Sequence, residues 1–303
     1  MNQYIHGGEG SLKEIVQKIG FQIYKTEEMM QLIEYIREYN DDAEEEQLNF
    51  YGFDMQRIRY SFDALKKECI AEGVNLSFLD NFIIDGQWNQ NYSYAEKKDL
   101  LMKLKKTLEL KEFNGDLIHF VDVLLQNVEV LHRKDTDGSL LRDQYMAENV
   151  SWILQKEQQR NDCIFISGHN EHVAKWGSYD SMGKLLSNQY RYYVIGTNFY
   201  KTRCNLPEGN HKHTIQTFYS HDPLAKTAKL AGFKMCWIDF SSLEEGTEIK
   251  RHVDAYTYMG ALGESYSIMN RFLPPSYRMF QPPTTLYDSM IYVSNASPTK
   301  IIE

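Results

Sequence analysis

The amino-acid sequence predicts an α/β fold, a mostly parallel β-sheet flanked by helices. The chain has 303 residues, of which 42% are hydrophobic, enough apolar material for a sizeable core. Short apolar runs typical of strands alternate with helical segments over the second half of the chain. Helical periodicity dominates residues 75–160, which indicates a helical insertion or subdomain.

The predicted helices are recognised by their caps and by apolar side chains at helical spacing. Capping boxes, in which a serine is followed three residues later by a glutamate, open two of them at Ser11 and Ser93. An N-cap followed by proline opens another at Asp222. The predicted helices cover residues 11–19, 26–39, 93–110, 116–132, 139–159, 181–187 and 222–231, and one more begins at about residue 57.

The predicted strands are short apolar runs, some of them apolar on both faces as central parallel strands tend to be. They cover residues 48–54, 163–167, 192–196, 233–239 and 290–294. Because ligands of α/β proteins bind at the carboxyl ends of parallel strands, polar residues that follow these runs are the first candidates for a functional site.

Composition and missing motifs exclude several functions. The net charge of -9 argues against a nucleic-acid or anionic-membrane partner. Four scattered cysteines without a CxxC pair argue against a disulfide framework or a structural zinc site, and neither a signal peptide nor a transmembrane run is found. We therefore expect a cytoplasmic protein. The sequence contains no GxSxG elbow, P-loop or GxGxxG loop, and no cofactor is predicted.

Polar residues suited to catalysis are clustered directly after the predicted strand 163–167, in the string Gly168-His-Asn-Glu-His172. His169 and His172 are suited to proton transfer near neutral pH, and Glu171 is placed to orient one of them. A purely structural role is the first alternative. The second is a metal site completed by His211 or His213, although the spacing is not HExxH.

The predicted helix 139–159 carries polar residues on an apolar stripe. Arg142, Met146, Asn149 and Ile153 share one face by their spacing. A polar group on a core-facing stripe needs a partner, so these side chains either form structural hydrogen bonds or line a site.

Four strings, taken in order, resemble the erythromycin esterase family over nearly the whole chain. They are NFYGFDMQ at 49–56, RDQYMAEN at 142–149, GHNEH at 168–172 with Met182-Gly183 downstream, and LYDSMIYV at 286–293. The resemblance implies metal-independent hydrolysis of an ester or macrolide lactone, and hence macrolide resistance. It implies catalytic roles for His169 and His172, which match the family's HNxH motif, with Arg142 stabilising an oxyanion. It implies substrate-binding roles for Asp54, Asp143, Asn149 and Asn170.

The family also carries a GExxHG segment ahead of the first residues of this chain, and His6-Gly-Gly-Glu-Gly10 does not match it. We therefore expect a single domain over residues 1–303 that is incomplete at its N-terminus. Such a sheet would expose an edge and apolar surface, which predicts poor solubility or a homodimer.

Three functions remain open at this point. The first is a hydrolase that takes a small ester or a macrolide. The second is an inactive remnant or binding protein that keeps the fold without the base. The third is a metal-dependent hydrolase that uses His169, His172 and either His211 or His213.

Overall fold

The computed structural model describes residues 1–43, 46–113, 115–133, 136–157, 163–177, 179–208, 212–263, 270 and 272–302. The chain divides into two compact units. The N-terminal unit comprises residues 1–162 with Ile302, and the C-terminal unit comprises residues 163–301. No helix among the described residues combines the length and apolarity needed to span a bilayer.

Among its described residues, the N-terminal unit contains helices and one short hairpin. Its helices are α1 (Asn2–Ile5), α2 (Leu12–Gln17), α3 (Glu27–Asp42), α4 (Ile58–Ala71), α5 (Tyr94–Leu110), α6 (Gly115–His132) and α7 (Thr136–Glu157), and its hairpin pairs β1 (Ile83–Ile84) with β2 (Gln87–Trp88). The helices predicted from periodicity are confirmed. The capping box is complete at Ser93, whose hydroxyl accepts the Glu96 N–H while the Glu96 carboxylate accepts the Ser93 N–H.

Two apolar clusters form the core of this unit. The larger joins α4, α5, α6 and the hairpin, with Leu65, Leu101 and Leu124 fully buried. The smaller joins α1, α2 and α3 around Ile5 and Ile33. The helices α3, α4, α5 and α6 therefore bury the apolar faces that their sequence period predicts.

The strand predicted over residues 48–54 is wrong, because this segment forms no strand pairing. Its polar backbone groups bond to side chains instead. The Asn40 amide accepts the Leu48 N–H at 2.6 Å and donates to the Leu48 carbonyl at 2.9 Å, and the Asn2 amide oxygen accepts the Phe50 N–H at 2.8 Å. Side-chain amides thus satisfy backbone groups that a neighbouring strand would otherwise bind.

The half-buried His119, which stacks on Trp152, is expected to make the stability of this unit depend on pH. The rings of His119 and Trp152 stack with centroids 3.8 Å apart and planes 3° apart. Burial lowers the pKa of His119 to about 4, against the opposing charges of Asp122 and Asp116. Between about pH 6.5 and pH 4 the unfolded chain therefore binds a proton that the folded chain excludes.

We expect the free energy of unfolding to fall by about 1–2 kcal/mol as pH drops through that window, because the unfolded state binds more protons there. His119→Phe keeps the stacking and removes the titrating group. Over the same pH range, the free energy of unfolding of this variant should fall by about 1–2 kcal/mol less than that of the parent. Urea unfolding at several pH values, followed by tryptophan fluorescence, measures the difference. His132→Phe, at an exposed histidine of the same unit, is the control. Parallel curves for the parent and His119→Phe would contradict the prediction.

The C-terminal unit is built on a four-stranded sheet in the order β4-β3-β8-β5. Its elements are α8 (Asn170–Val173), α9 (Met182–Ser187), β3 (Ile195–Glu208), β4 (Lys212–Tyr219), α10 (Pro223–Leu230), β5 (Met235–Asp239), α11 (Glu248–Val253), β6 (Thr257–Gly260), β7 (Arg278–Gln281), α12 (Pro283–Leu286) and β8 (Ser289–Ala296). A separate two-stranded sheet pairs β6 with β7.

The sheet is mixed, which corrects the prediction of a mostly parallel one. Only β3 and β8 run parallel, while β4 and β5 pair antiparallel with β3 and β8. Because only residues 209–211 separate β3 from β4, the connection is too short for the crossover that a parallel pair requires. The predicted strands near residues 192–196, 233–239 and 290–294 overlap β3, β5 and β8.

The strand predicted over residues 163–167 is also wrong, since this segment has no strand pairing. Its central side chain, Phe165, is 90% exposed. Apolar side chains are also exposed on one face of the sheet, where Ile195, Met235 and Trp237 share the same side by register. Homodimer formation through such surface stays a prediction.

Candidate functional site

His169 lies immediately before α8 and is its N-cap. Its Nδ1 accepts the backbone N–H of Glu171 at 3.4 Å, and its Nε2 lies 3.0 Å from the carbonyl oxygen of Leu262. A carbonyl oxygen can only accept, so Nε2 carries the proton and Nδ1 is the basic nitrogen. Because the contact at Nδ1 is long, its lone pair accepts only a weak hydrogen bond. His169 therefore has the tautomer that a general base needs.

His172 lies one helical turn further on and is half-buried. The two imidazole rings have centroids 6.3 Å apart and planes inclined by 73°. Within the described part of the chain, no three His, Cys, Asp or Glu side chains are grouped to hold a metal ion. His211 lies outside the described residues, and only the backbone of His213 is described, so the predicted metal alternative stays a prediction.

Asn170 fixes the start of α8 to the part of β3 that is not paired with β4. Its amide nitrogen donates to the Thr197 carbonyl at 2.7 Å, and its amide oxygen accepts the Thr197 N–H at 3.2 Å. One side chain thereby binds both backbone groups of a β3 residue, as a neighbouring strand would. The contacts of Asn170 make it a positioning residue for His169, and its predicted role in substrate binding stays a prediction.

Asp288 anchors the segment that follows α8, and the sequence analysis did not identify this residue. One carboxylate oxygen pairs with the Lys175 ammonium at 2.5 Å, and the other accepts the Val194 N–H at 2.7 Å. Tyr192 adds a hydrogen bond from its hydroxyl to the Val173 carbonyl at 3.0 Å. The only sequence signal was the position of Asp288 within the LYDSMIYV string.

In the N-terminal unit, Arg142 on α7 forms a two-bond ion pair with Asp54. Nη2 lies 2.7 Å from Oδ2, and Nε lies 3.3 Å from Oδ1. The side chains are only 19% and 17% exposed, which protects the pair from solvent screening. Asp54 also accepts the Gln56 N–H at 3.1 Å, so it orders the turn before α4.

Asn149 is also on α7, and it is buried with 2% exposure. Its amide exchanges hydrogen bonds with the Gln126 amide at 2.9 and 3.0 Å, and it donates to the Phe53 carbonyl at 2.9 Å. The predicted need for a partner on this stripe is thus met by structural bonds. Asp143 is 1% exposed.

The structure therefore brings the predicted residues together in two groups. Asp54, Arg142 and Asn149 surround the turn at residues 53–56 of the N-terminal unit. The other group comprises His169, Asn170 and His172, at the start of α8 in the C-terminal unit. The roles in catalysis and substrate binding that the sequence suggested for them stay predictions.

Comparison with solved structures identifies the fold. The chain superposes on a crystal structure titled as a succinoglycan biosynthesis protein with a TM-score of 0.76 and 19% identity, over 99% of this chain and 77% of that one. It superposes on a Bacillus cereus protein with a TM-score of 0.73 and 18% identity, over 100% and 79%. Identities this low establish a shared fold only. No functionally curated protein matches the chain.

Comparison with protein-family models gives the family. The model described as erythromycin esterase matches residues 1–69 and 93–296, which is most of the chain. The four strings that suggested this resemblance fall within the matched residues. This protein therefore belongs to the erythromycin esterase family.

Proposed function

We propose that this protein hydrolyses a carboxylic ester or macrolide lactone with water activated by His169. The observation that carries the proposal is the pair of contacts made by this imidazole. The Leu262 carbonyl holds the proton on Nε2, and Nδ1 keeps a lone pair whose only described contact is 3.4 Å long. Membership of the erythromycin esterase family supports hydrolase chemistry.

The proposed reaction needs no group beyond water and side chains. Nδ1 of His169 takes a proton as the water oxygen attacks the ester carbonyl carbon. The carbon–oxygen bond to the alcohol then breaks, and the proton passes to the departing oxygen, which gives an acid and an alcohol. His172, whose ring centroid lies 6.3 Å from that of His169, is the residue proposed to assist either proton transfer.

The family resemblance also implies an oxyanion-stabilising role for Arg142 of the N-terminal unit, and we propose to test that role by itself. The Nε and Nη2 atoms of Arg142 both bond to Asp54. The Asp54 carboxylate therefore orients the guanidinium. Arg142→Lys keeps the charge and loses the two-bond geometry. A loss of kcat with unchanged KM in this variant would support the role, and unchanged kinetics would remove it.

The test is mass spectrometry of erythromycin, and of a panel of simple esters, incubated with the purified chain. We expect erythromycin to give a product heavier by one water, from opening of its lactone ring, or a simple ester to give its separate acid and alcohol. His169→Ala should lower the rate of this hydrolysis at least about 100-fold, as loss of a general base does. His132→Ala, at an exposed histidine, is the control. Full activity in His169→Ala, confirmed as folded by circular dichroism, would contradict the mechanism.

Two alternatives are separated by the same assay. His169 and Asn170 both bond to backbone groups, which favours a non-catalytic binding protein as the second candidate. No product from any ester with folded protein would support it. Loss of activity in excess chelator, restored by zinc, would instead favour the metal-dependent hydrolase.

A further inference from the structure

A cleft of about 600 Å³ lies in the C-terminal unit where β4 ends and α10 begins. Its lining combines two tyrosines, a histidine, an aspartate, a proline and a lysine: Tyr200, Tyr219, His221, Asp222, Pro223 and Lys226. None of these residues belongs to the site proposed for hydrolysis. The volume is of the size that small-ligand pockets have.

Four cationic side chains lie at or near the cleft. Lys226 lines it, the Lys229 ammonium lies 4.0 Å from the Tyr200 ring centroid, and the Lys201 ammonium lies 5.9 Å from that of Tyr219. Arg278 donates two hydrogen bonds to the Tyr219 carbonyl, at 3.1 and 3.3 Å.

Among the described residues, none of these four cations has a carboxylate within ion-pair distance. Other lysines of the same unit do, since Lys175, Lys184 and Lys250 each pair with an aspartate. A protein with a net charge of -9 thus leaves a local positive patch around this cleft.

The one acidic residue of the lining does not neutralise that patch. The side chain of Asp222 is completely buried. It accepts the Asn198 amide and the Leu224 N–H, each at 2.7 Å, and faces His252 at 3.5 Å. Its carboxylate therefore caps α10 and stabilises the interior, while the rim of the cleft stays positive.

The two tyrosines supply ring surface at right angles. Their centroids are 5.9 Å apart, and the planes are inclined by 85°. His221 next to them has a left-handed backbone, with φ of 61°. Burial, with the Arg278 charge, lowers the pKa of His221, which favours the neutral imidazole, a form that both donates and accepts hydrogen bonds.

We propose that this cleft binds a sugar-sized ring that carries an anionic group, either a carboxylate or a phosphate. The tyrosine rings contact the ring of the ligand, His221 bonds to its hydroxyl groups, and Lys226 with its neighbouring cations binds the anion. This binding goes beyond the proposed ester hydrolysis, and it is expected whether or not the chain is catalytically active.

Calorimetric titration of the full chain with four ligands of similar shape tests the proposal. They are glucuronate and glucose 6-phosphate, which are anions, glucose, which is neutral, and glucosamine, which is a cation. We expect at least one anionic sugar to bind at least 10-fold more tightly than glucose, and glucosamine not to bind. The anion that binds more tightly identifies the group preferred, carboxylate or phosphate. Affinity should fall as salt is raised.

Variants separate specific binding from general charge attraction. Lys226→Gln and Tyr219→Ala should each weaken binding of the anionic sugar by about 5-fold or more, whereas Lys184→Gln in the same unit should leave it unchanged. Equal binding of all four sugars, or of none, would overturn the proposal. So would inorganic phosphate binding as tightly as glucose 6-phosphate, because the ring would then contribute nothing.

Discussion

Gly183→Ala is expected to destabilise the C-terminal unit by about 3 kcal/mol or more. A Cβ atom at this position of α9 would lie 2.2 Å from the Val173 carbonyl oxygen and 2.7 Å from that of Ala174. Both contacts are with backbone atoms, which cannot rotate away as a side chain does. The helix would have to move off the segment that follows α8.

Helix propensity alone would give a change in stability of the opposite sign. Alanine is favoured over glycine inside a helix by about 1 kcal/mol, so an isolated α9 would gain stability. Steric overlap with the backbone therefore has to outweigh helix propensity for the expected loss to occur.

Urea unfolding, followed by the fluorescence of Trp176 and Trp237, measures the effect of Gly183→Ala. Gly177→Ala is the matched control, since the nearest atom to its added Cβ is 3.7 Å away, at ordinary contact distance. We expect that control to change stability by less than about 1 kcal/mol. Equal stability of the two variants would show that α9 does not pack this closely.

Asn149→Leu is the second large effect, with an expected loss of about 3 kcal/mol from the N-terminal unit. The substitution removes the partner of the Gln126 amide and of the Phe53 carbonyl. Gln126 is only 8% exposed, so its amide cannot recover the lost bonds from bulk water. Each buried polar group left without a partner is destabilising by about 1–3 kcal/mol.

Two further variants test this explanation. Gln144→Ala on the exposed side of α7 loses only a bond to Glu148 four residues away, and should change stability by less than about 0.5 kcal/mol. The double variant Asn149→Leu with Gln126→Met removes both amides together and should recover part of the loss. A double variant whose loss equals the sum of the two single losses would contradict coupling through this amide pair.

Asn149→Leu also bears on function, because Asn149 holds the backbone next to Asp54, the partner of Arg142. A fall in activity beyond the loss of folded protein would indicate that the turn at residues 53–56 supports catalysis. Unchanged activity per folded molecule would make Asn149 purely structural.

Sequence patterns were sufficient to predict the helices of the N-terminal unit and the family of the protein. Helix periodicity and capping depend on residues close together in the sequence, so Ser93 and Glu96 correctly predicted the start of α5. The polar stripe on α7 indicated that Asn149 needed a partner. The order of four strings predicted the family that the family-model match over most of the chain confirms.

Tertiary structure alone decided which extended segments became strands and which side chains met. Residues 48–54 and 163–167 have the apolar composition of strands, but a strand exists only where a second backbone is in register beside it. No local pattern encodes that partner, as the pairing of β3 with β8 across about 90 residues shows. For the same reason the bonds of Asn170 to Thr197, and the cations around the cleft at Tyr219, emerge only when distant segments pack together.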